Sequence, residues 1–203
     1  MNLNRYISKQ LSSPRGFGGK VVSFFMNRQN RPLYNETIRL LSPLNSDTIL
    51  DIGCGNGYVL SVIAKQYSCN FVGIDMSESI IRAAIKRNNL LVNKGKMEFT
   101  CQNLNDMSFS DGYFNKTYTI NTIYFWDDLN KGMKEVNRVL KPGGLFVNAL
   151  YSNSTLEKFE FTKIGYKRFT EQELVGAGID AGFSVSVVPI LGGAAFCYLY
   201  QKV

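Results

Sequence analysis

Asp51, Gly53, Gly55 and Gly57 stand at alternate positions in the run Ile49-Leu50-Asp51-Ile52-Gly53-Cys54-Gly55-Asn56-Gly57-Tyr58. Glycine has no Cβ and tolerates positive φ, so a turn built from it lets a ligand rest against bare backbone. Tyr58-Val59-Leu60-Ser61-Val62-Ile63-Ala64 reads as the start of a helix, whose unpaired N–H groups and positive end would face the same ligand. Such a turn suits a dinucleotide, a phosphate or another adenosine-bearing cofactor. Spacing narrows the choice. A dinucleotide fingerprint, Gly-x-Gly-x-x-Gly, needs its third glycine where Tyr58 stands. A P-loop needs Gly-Lys-Ser/Thr, and no lysine follows until Lys65.

A second acid belongs with the turn. Asn70-Phe71-Val72-Gly73-Ile74-Asp75 reads as an apolar strand ending in a carboxylate, 18 residues beyond Gly57. In a parallel βαβ unit both strands end on one edge, which sets Asp75 beside the glycine turn, where it can accept bonds from both hydroxyls of a ribose. Ser77 is the better cap for the following helix, which frees Asp75 for a ligand.

The elements that must position these residues follow from apolar periodicity and punctuation. Ile49–Ile52 is the first strand and Asn70–Asp75 the second, with a helix over 79–92 between the second and the third, Met97–Cys101. Asp111-Gly112 turns into a fourth strand over 113–120. A helix over 129–140 is stopped by Lys141-Pro142-Gly143-Gly144, which leads into a fifth strand over 145–149. Thr170-Glu171-Gln172-Glu173 is a capping box opening a helix to about Ala181. The strands over 183–188 and 195–200 are joined too briefly for a parallel crossover and must pair antiparallel. Pro32 suits the first turn of an earlier helix, which Pro43 ends. The expected organisation is a helical arm or lid over 1–44 and one cofactor-binding domain over 45–203.

Asp-x-Gly-x-Gly-x-Gly resembles the first motif of the class I S-adenosylmethionine (SAM) dependent methyltransferases. Glu135-Val136-x-Arg138-Val139-Leu140-Lys141-Pro142-Gly143-Gly144 resembles a later run of the same family, in its type 11, small-molecule branch. Gln102-Asn103-Leu104-Asn105-Asp106-Met107-Ser108-Phe109 resembles the family's Gly-Asp-Ala…Leu-Pro-Phe stretch, with Asn103 at the usual Asp and Leu104 at the usual small residue. Asn115 likewise replaces an Asp in the fourth strand. The resemblance implies an α/β, three-layer Rossmann-like fold with a seven-stranded, mostly parallel sheet and an antiparallel C-terminal hairpin strand. It implies SAM as cofactor, held by Asp51, Gly53, Cys54, Gly55, Asp75, Met76, Asn103, Leu104 and Asn121. Tyr124, Phe125, Trp126 and Tyr34 are candidates for the acceptor pocket, and Tyr124 and Asp127 for a general base, should the acceptor need one. Asn121-Thr122-Ile123-Tyr124 lacks the prolines of the amino-group nucleic-acid methyltransferases, which argues against a DNA base as acceptor.

Composition bounds the alternatives. The 203 residues are 45% hydrophobic, enough for one sizeable core, and hold no run approaching a membrane span. There is no histidine, and the four cysteines show no Cys-x-x-Cys spacing, so metal ligation and Ser-His or Cys-His catalysis are not expected. A cytoplasmic protein is expected. The charge of +7 is concentrated in residues 1–39, where seven Lys/Arg meet only Glu36. A small-molecule acceptor is the expectation. An RNA- or protein-directed methyltransferase using the basic arm, a non-catalytic SAM- or RNA-binding module, and a nicotinamide-dependent oxidoreductase are its rivals.

Overall fold

The computed structural model describes residues 28–203. The arginines and lysines before Arg28, and with them the first 27 residues of the arm expected over 1–44, lie outside the described residues. In chain order the elements are α1 (Arg31–Leu41), β1 (Thr48–Ile52), α2 (Tyr58–Ile63), β2 (Asn70–Asp75), α3 (Glu78–Arg87), α4 (Asn89–Asn93), β3 (Met97–Cys101) and β4 (Phe114–Ile120). They are followed by α5 (Leu129–Val139), β5 (Leu140–Tyr151), α6 (Asn153–Leu156), α7 (Glu171–Asp180), β6 (Phe183–Ile190) and β7 (Ala195–Lys202). The strands form one seven-stranded sheet in the order β3-β2-β1-β4-β5-β7-β6. The first five are parallel, and β7 pairs antiparallel with both β5 and β6.

Both faces of the sheet are covered. Leu33, Ile38 and Leu41 of α1, Leu60 and Ile63 of α2, and Ile81 and Ala84 of α3 pack on one face. Met133, Val136 and Val139 of α5 and Leu174 and Ala177 of α7 pack on the other. A strand buried on two faces has no need to alternate, which is why Leu50, Asp51 and Ile52 of β1 are all buried. β1 sits mid-sheet between β2 and β4, where the order of strands reverses direction. A crevice opens at the carboxyl ends of strands at such a point.

Several local features decide how that crevice is shaped. The helix expected over 79–92 is two helices, because the buried Asn88 turns its side-chain amide back onto the carbonyls of Ala84 (3.0 Å) and Gly57 (3.2 Å). β5 begins at Leu140, and Lys141–Gly144 form an excursion within it, since Phe114 pairs with Leu140 but Lys116 with Leu145. Pro189 lies inside β6, an edge strand, where a missing N–H is tolerated. The capping box forms as expected, Thr170 and Glu173 each receiving the other's backbone N–H. Asn115 Oδ1 accepts from Thr48 N–H and from Lys141 Nζ, tying three strands at their entry. Lys116 reaches from β4 to the carbonyls of Leu41 (2.6 Å) and Ser42, the C-terminal end of α1, with Asp47 3.7 Å away.

Candidate functional site

β1 carries Asp51 to the sheet's carboxyl edge, and the glycine turn follows. Gly53, Gly55 and Gly57 have φ of 72°, 53° and 69°, a region that side chains make costly. The three differ in what surrounds them. A Cβ on Gly53 would stand 2.5 Å from Cγ2 of Thr122, and one on Gly57 2.8 Å from the Phe99 ring, whereas one on Gly55 would meet nothing within 4 Å. Gly55 is therefore the point where bare backbone faces open space. The N–H groups of Gly53 and Cys54 both reach the Ile74 carbonyl (2.9 Å), stitching the turn to β2. The helix after it, α2, has only six residues, so its end supplies a shorter dipole than the sequence suggested.

Asp75 stands beside this turn, as the parallel register requires. Its Oδ2 accepts from Gly55 N–H (3.3 Å) and its Oδ1 from Ser77 N–H (3.0 Å). Asp75, and not Ser77, thus serves the start of α3: the Ser77 hydroxyl instead meets that of Ser79. A carboxylate has about four acceptor sites, so both oxygens keep capacity for a ligand. Burial raises the Asp75 pKa, and the N–H bonds from Ser77 and Gly55 oppose that rise. Met76, 67% exposed, projects at the rim of the cavity.

Asp51 is the deeper acid. Burial pushes its pKa from 3.8 up to about 7, the Tyr118 hydroxyl opposes this by donating to Oδ2 (2.7 Å), and the charge on Asp75 adds to it. Asp51, Asp75, the glycine turn, Met76, Asn103, Leu104 and Asn121 all line one cavity of about 240 Å³. Two acids in one enclosed space favour a cationic ligand.

Leu104 begins a 3₁₀ turn, Leu104–Asp106, after β3. Asn103 is exposed, and its Oδ1 already accepts from Asn105 N–H (2.9 Å). Arg138 and Glu135 of α5 fix the chain beyond it. Arg138 donates to the carbonyls of Phe109 (2.7 Å) and Met107 (2.9 Å), while Glu135 accepts from Met107 N–H (2.8 Å). The bonds from Arg138 hold the Glu135 carboxyl below its usual range. The motif that marked the family is, in this chain, the clamp on the cavity's 102–109 wall.

At the other wall the aromatic candidates separate. Tyr124 is 2% exposed and is not among the lining residues; its hydroxyl lies 3.2 Å from the Tyr151 carbonyl and 3.3 Å from Asn121 Oδ1. It belongs to the core, and burial raises its pKa, a poor setting for a base. Phe125 lines the cavity, with Trp126 and the exposed Asp127. Trp126 is half core, its ring 6.3 Å from that of Phe146 and its indole N–H donating to Thr122 Oγ1 (3.3 Å). Asn121 holds φ of 58°, and its Oδ1 lies 3.4 Å from Tyr151 N–H. Tyr34 of α1 lines the cavity, joined by Asn30, Tyr58 and Tyr118, which sequence reasoning did not identify. Asn30 Oδ1 accepts from the Tyr151 hydroxyl (3.0 Å). The loop is strapped from outside, since Lys167 Nζ donates to the carbonyls of Trp126 (2.6 Å) and Asp127 (2.7 Å). Among the described residues no cluster of His, Cys, Asp and Glu is fit for a metal, and no helix is long and apolar enough to cross a membrane.

Comparison with known proteins agrees with this arrangement. Residues 50–148 match the model of a methyltransferase domain. An uncharacterized methyltransferase of Bacillus subtilis, YdaC, is 27% identical over 61% of this chain and 67% of its own length. The sterol 24-C-methyltransferase ERG6 of Saccharomyces cerevisiae is 30% identical over 70% of this chain but only 36% of its own length. A SAM-dependent methyltransferase from Aquifex aeolicus shares the fold over the whole of both chains, with a TM-score of 0.73 at 20% identity. Residues 50–148 are therefore a methyltransferase domain, carried on the fold of the SAM-dependent methyltransferases, whose methyl donor is S-adenosylmethionine.

Proposed function

We propose that the chain transfers the methyl group of SAM to a small-molecule acceptor that is uncharged or cationic. The observation that carries this reading is the pair Asp75 and Gly55. Each Asp75 oxygen holds one backbone N–H of the turns around it, so the carboxylate is fixed with acceptor capacity left toward the cavity. Asp75 would receive the ribose hydroxyls, Met76 would pack on the adenine, and Asn103 and Leu104 would meet its edge. Asp51 would take the ammonium of the methionyl end, and Gly53, Cys54, Gly55 and Asn121 would border that end.

Bound SAM supplies a methyl group already activated by its sulfonium. The protein's part is to orient the acceptor in line with it and exclude water. Phe125 and Trp126 offer apolar, π-rich surface, which suits a cationic or apolar partner. Asp51, Asp75 and Asp127 line the cavity, and no Lys or Arg does so among the described residues, which disfavours a carboxylate or phosphate acceptor. Where the acceptor must lose a proton, Asp127 is the candidate with access; the Tyr124 hydroxyl is turned into the core. The arm over 1–44 would serve as a lid over the acceptor end, and of its described residues Asn30 and Tyr34 line the cavity. Cys54, Cys69, Cys101 and Cys197 are all free thiols, which accords with a reducing, cytoplasmic setting.

The sterol 24-C-methyltransferase named above acts, by its name, on a small apolar molecule, which supports the acceptor class. Calorimetry with SAM and S-adenosylhomocysteine tests the cofactor site. Incubation with methyl-labelled SAM and separate pools of apolar, amine, thiol and carboxylate small molecules and RNA tests the acceptor. Heat with both cofactors and label in the apolar or amine pool is expected. Label only in RNA or carboxylates would overturn the acceptor class.

A further inference from the structure

Gly132 lies in the first half of α5, where glycine is a weaker helix former than alanine. Backbone conformation does not call for it, because Gly132 is not among the residues with positive φ. Space does. A Cβ there would stand 2.8 Å from Cε3 and 3.1 Å from Cζ3 of Trp126, and 3.2 Å from Cδ2 of Leu104. Carbon atoms in van der Waals contact keep about 3.5–4.0 Å apart. Trp126 and Leu104 are both cavity walls, one delivered after β4 and the other after β3. On its other sides the indole is held by the near-parallel Phe146 ring (16°) and by the bond to Thr122.

We infer that Gly132 is a positioning residue, a shared seat that lets Trp126 stand back from the ligand space while Leu104 closes in beside it. The absence of one methyl group thereby sets the depth of the cavity at its aromatic wall and links that wall to the one beside the nucleoside. What occupies the cavity rests on the methyltransferase reading; the seat itself does not. Gly132→Ala drives the rigid indole edge off the helix and toward the cavity that Trp126 lines.

Trp126 is the single tryptophan of the chain, so its fluorescence reports on this seat alone. The test compares acrylamide quenching of the wild type and Gly132→Ala, with S-adenosylhomocysteine binding followed in parallel by calorimetry. The quenching constant is expected to rise by about twofold or more in Gly132→Ala. An unchanged or lower quenching constant in the folded variant overturns the inference. Should Gly132→Ala fail to fold, the double variant Gly132→Ala with Trp126→Leu, which lacks the clashing atoms, is expected to recover the wild-type circular dichroism. If the double variant stays unfolded, the seat is not the reason for the glycine and the inference falls. A wild type that gives no heat with S-adenosylhomocysteine would sink the cofactor reading, while the quenching comparison would still decide the seat.

Discussion

The two walls of the cavity are built by different means. On the side of β1 and β2 the backbone does the positioning: three left-handed glycines, paired N–H bonds to the Ile74 carbonyl, and one N–H each to the two oxygens of Asp75. On the side of β4 the positioning comes from side chains far apart in sequence. Tyr166 packs its ring 4.7 Å from Phe125, Lys167 binds the carbonyls of Trp126 and Asp127, and Gly132 seats Trp126. Backbone geometry in a short turn holds a ligand common to a whole family. Long-range packing can change one residue at a time, and it fits a wall whose ligand differs between members.

The sharpest way to break this comparison is at Asp75. Asp75→Ala removes the acceptor for a ligand and frees the Gly55 and Ser77 N–H groups together. Losing charge-assisted bonds worth about 2–3 kcal/mol predicts a fall of about a hundredfold in S-adenosylhomocysteine affinity by calorimetry, with the far-ultraviolet circular dichroism retained. A change of less than threefold would remove Asp75 from the site.

A smaller effect comes from the deeper acid. With a pKa of about 7, Asp51 is half protonated near neutrality in the free protein. Because the folded value lies above the ordinary 3.8, the free protein loses stability as pH rises toward and through 7. A ligand ammonium offsets that cost and pulls the pKa down, so binding releases a proton. Affinity for S-adenosylhomocysteine is therefore expected to be about tenfold weaker at pH 6 than at pH 8. Calorimetry in buffers of different ionisation enthalpy reads the released proton directly; equal heats at pH 7 would exclude Asp51 as the ammonium's partner.

The smallest effect tests the far wall. Lys167→Ala removes the strap on Trp126 and Asp127, and the expected loss of stability is about 1 kcal/mol by urea denaturation. Hydrogen exchange should rise in residues 122–127, while affinity for S-adenosylhomocysteine changes less than about twofold. A large loss of cofactor affinity would show that the two walls are not separate.

The same division explains what the sequence disclosed. The turn Gly53–Gly57, the acid ending β2 and the capping box at Thr170 are local patterns, in which neighbours along the chain determine the geometry. So is the antiparallel hairpin, fixed by a connection too short for a crossover. The split of one helix at Asn88 was hidden because it depends on the Gly57 carbonyl, 31 residues away. Tyr124 and Phe125 could not be sorted by spacing, since the 3₁₀ turn that points one inward and the other to the cavity is settled by contacts with Tyr151 and Tyr166. Tyr118 and Asn30 left no signal at all. Each matters through a single long-range bond, to Asp51 and from Tyr151.

One lysine gives α1 the mechanics of a lever. Lys116 grips the helix at its last carbonyls, whereas Asn30 and Tyr34 hang at the opposite end over the ligand space. Displacement of that end, once the bond between Tyr151 and Asn30 is broken, would become rotation about a fixed heel. The mouth would widen or narrow by tilting, and the register of α1 on the sheet would stay as it is.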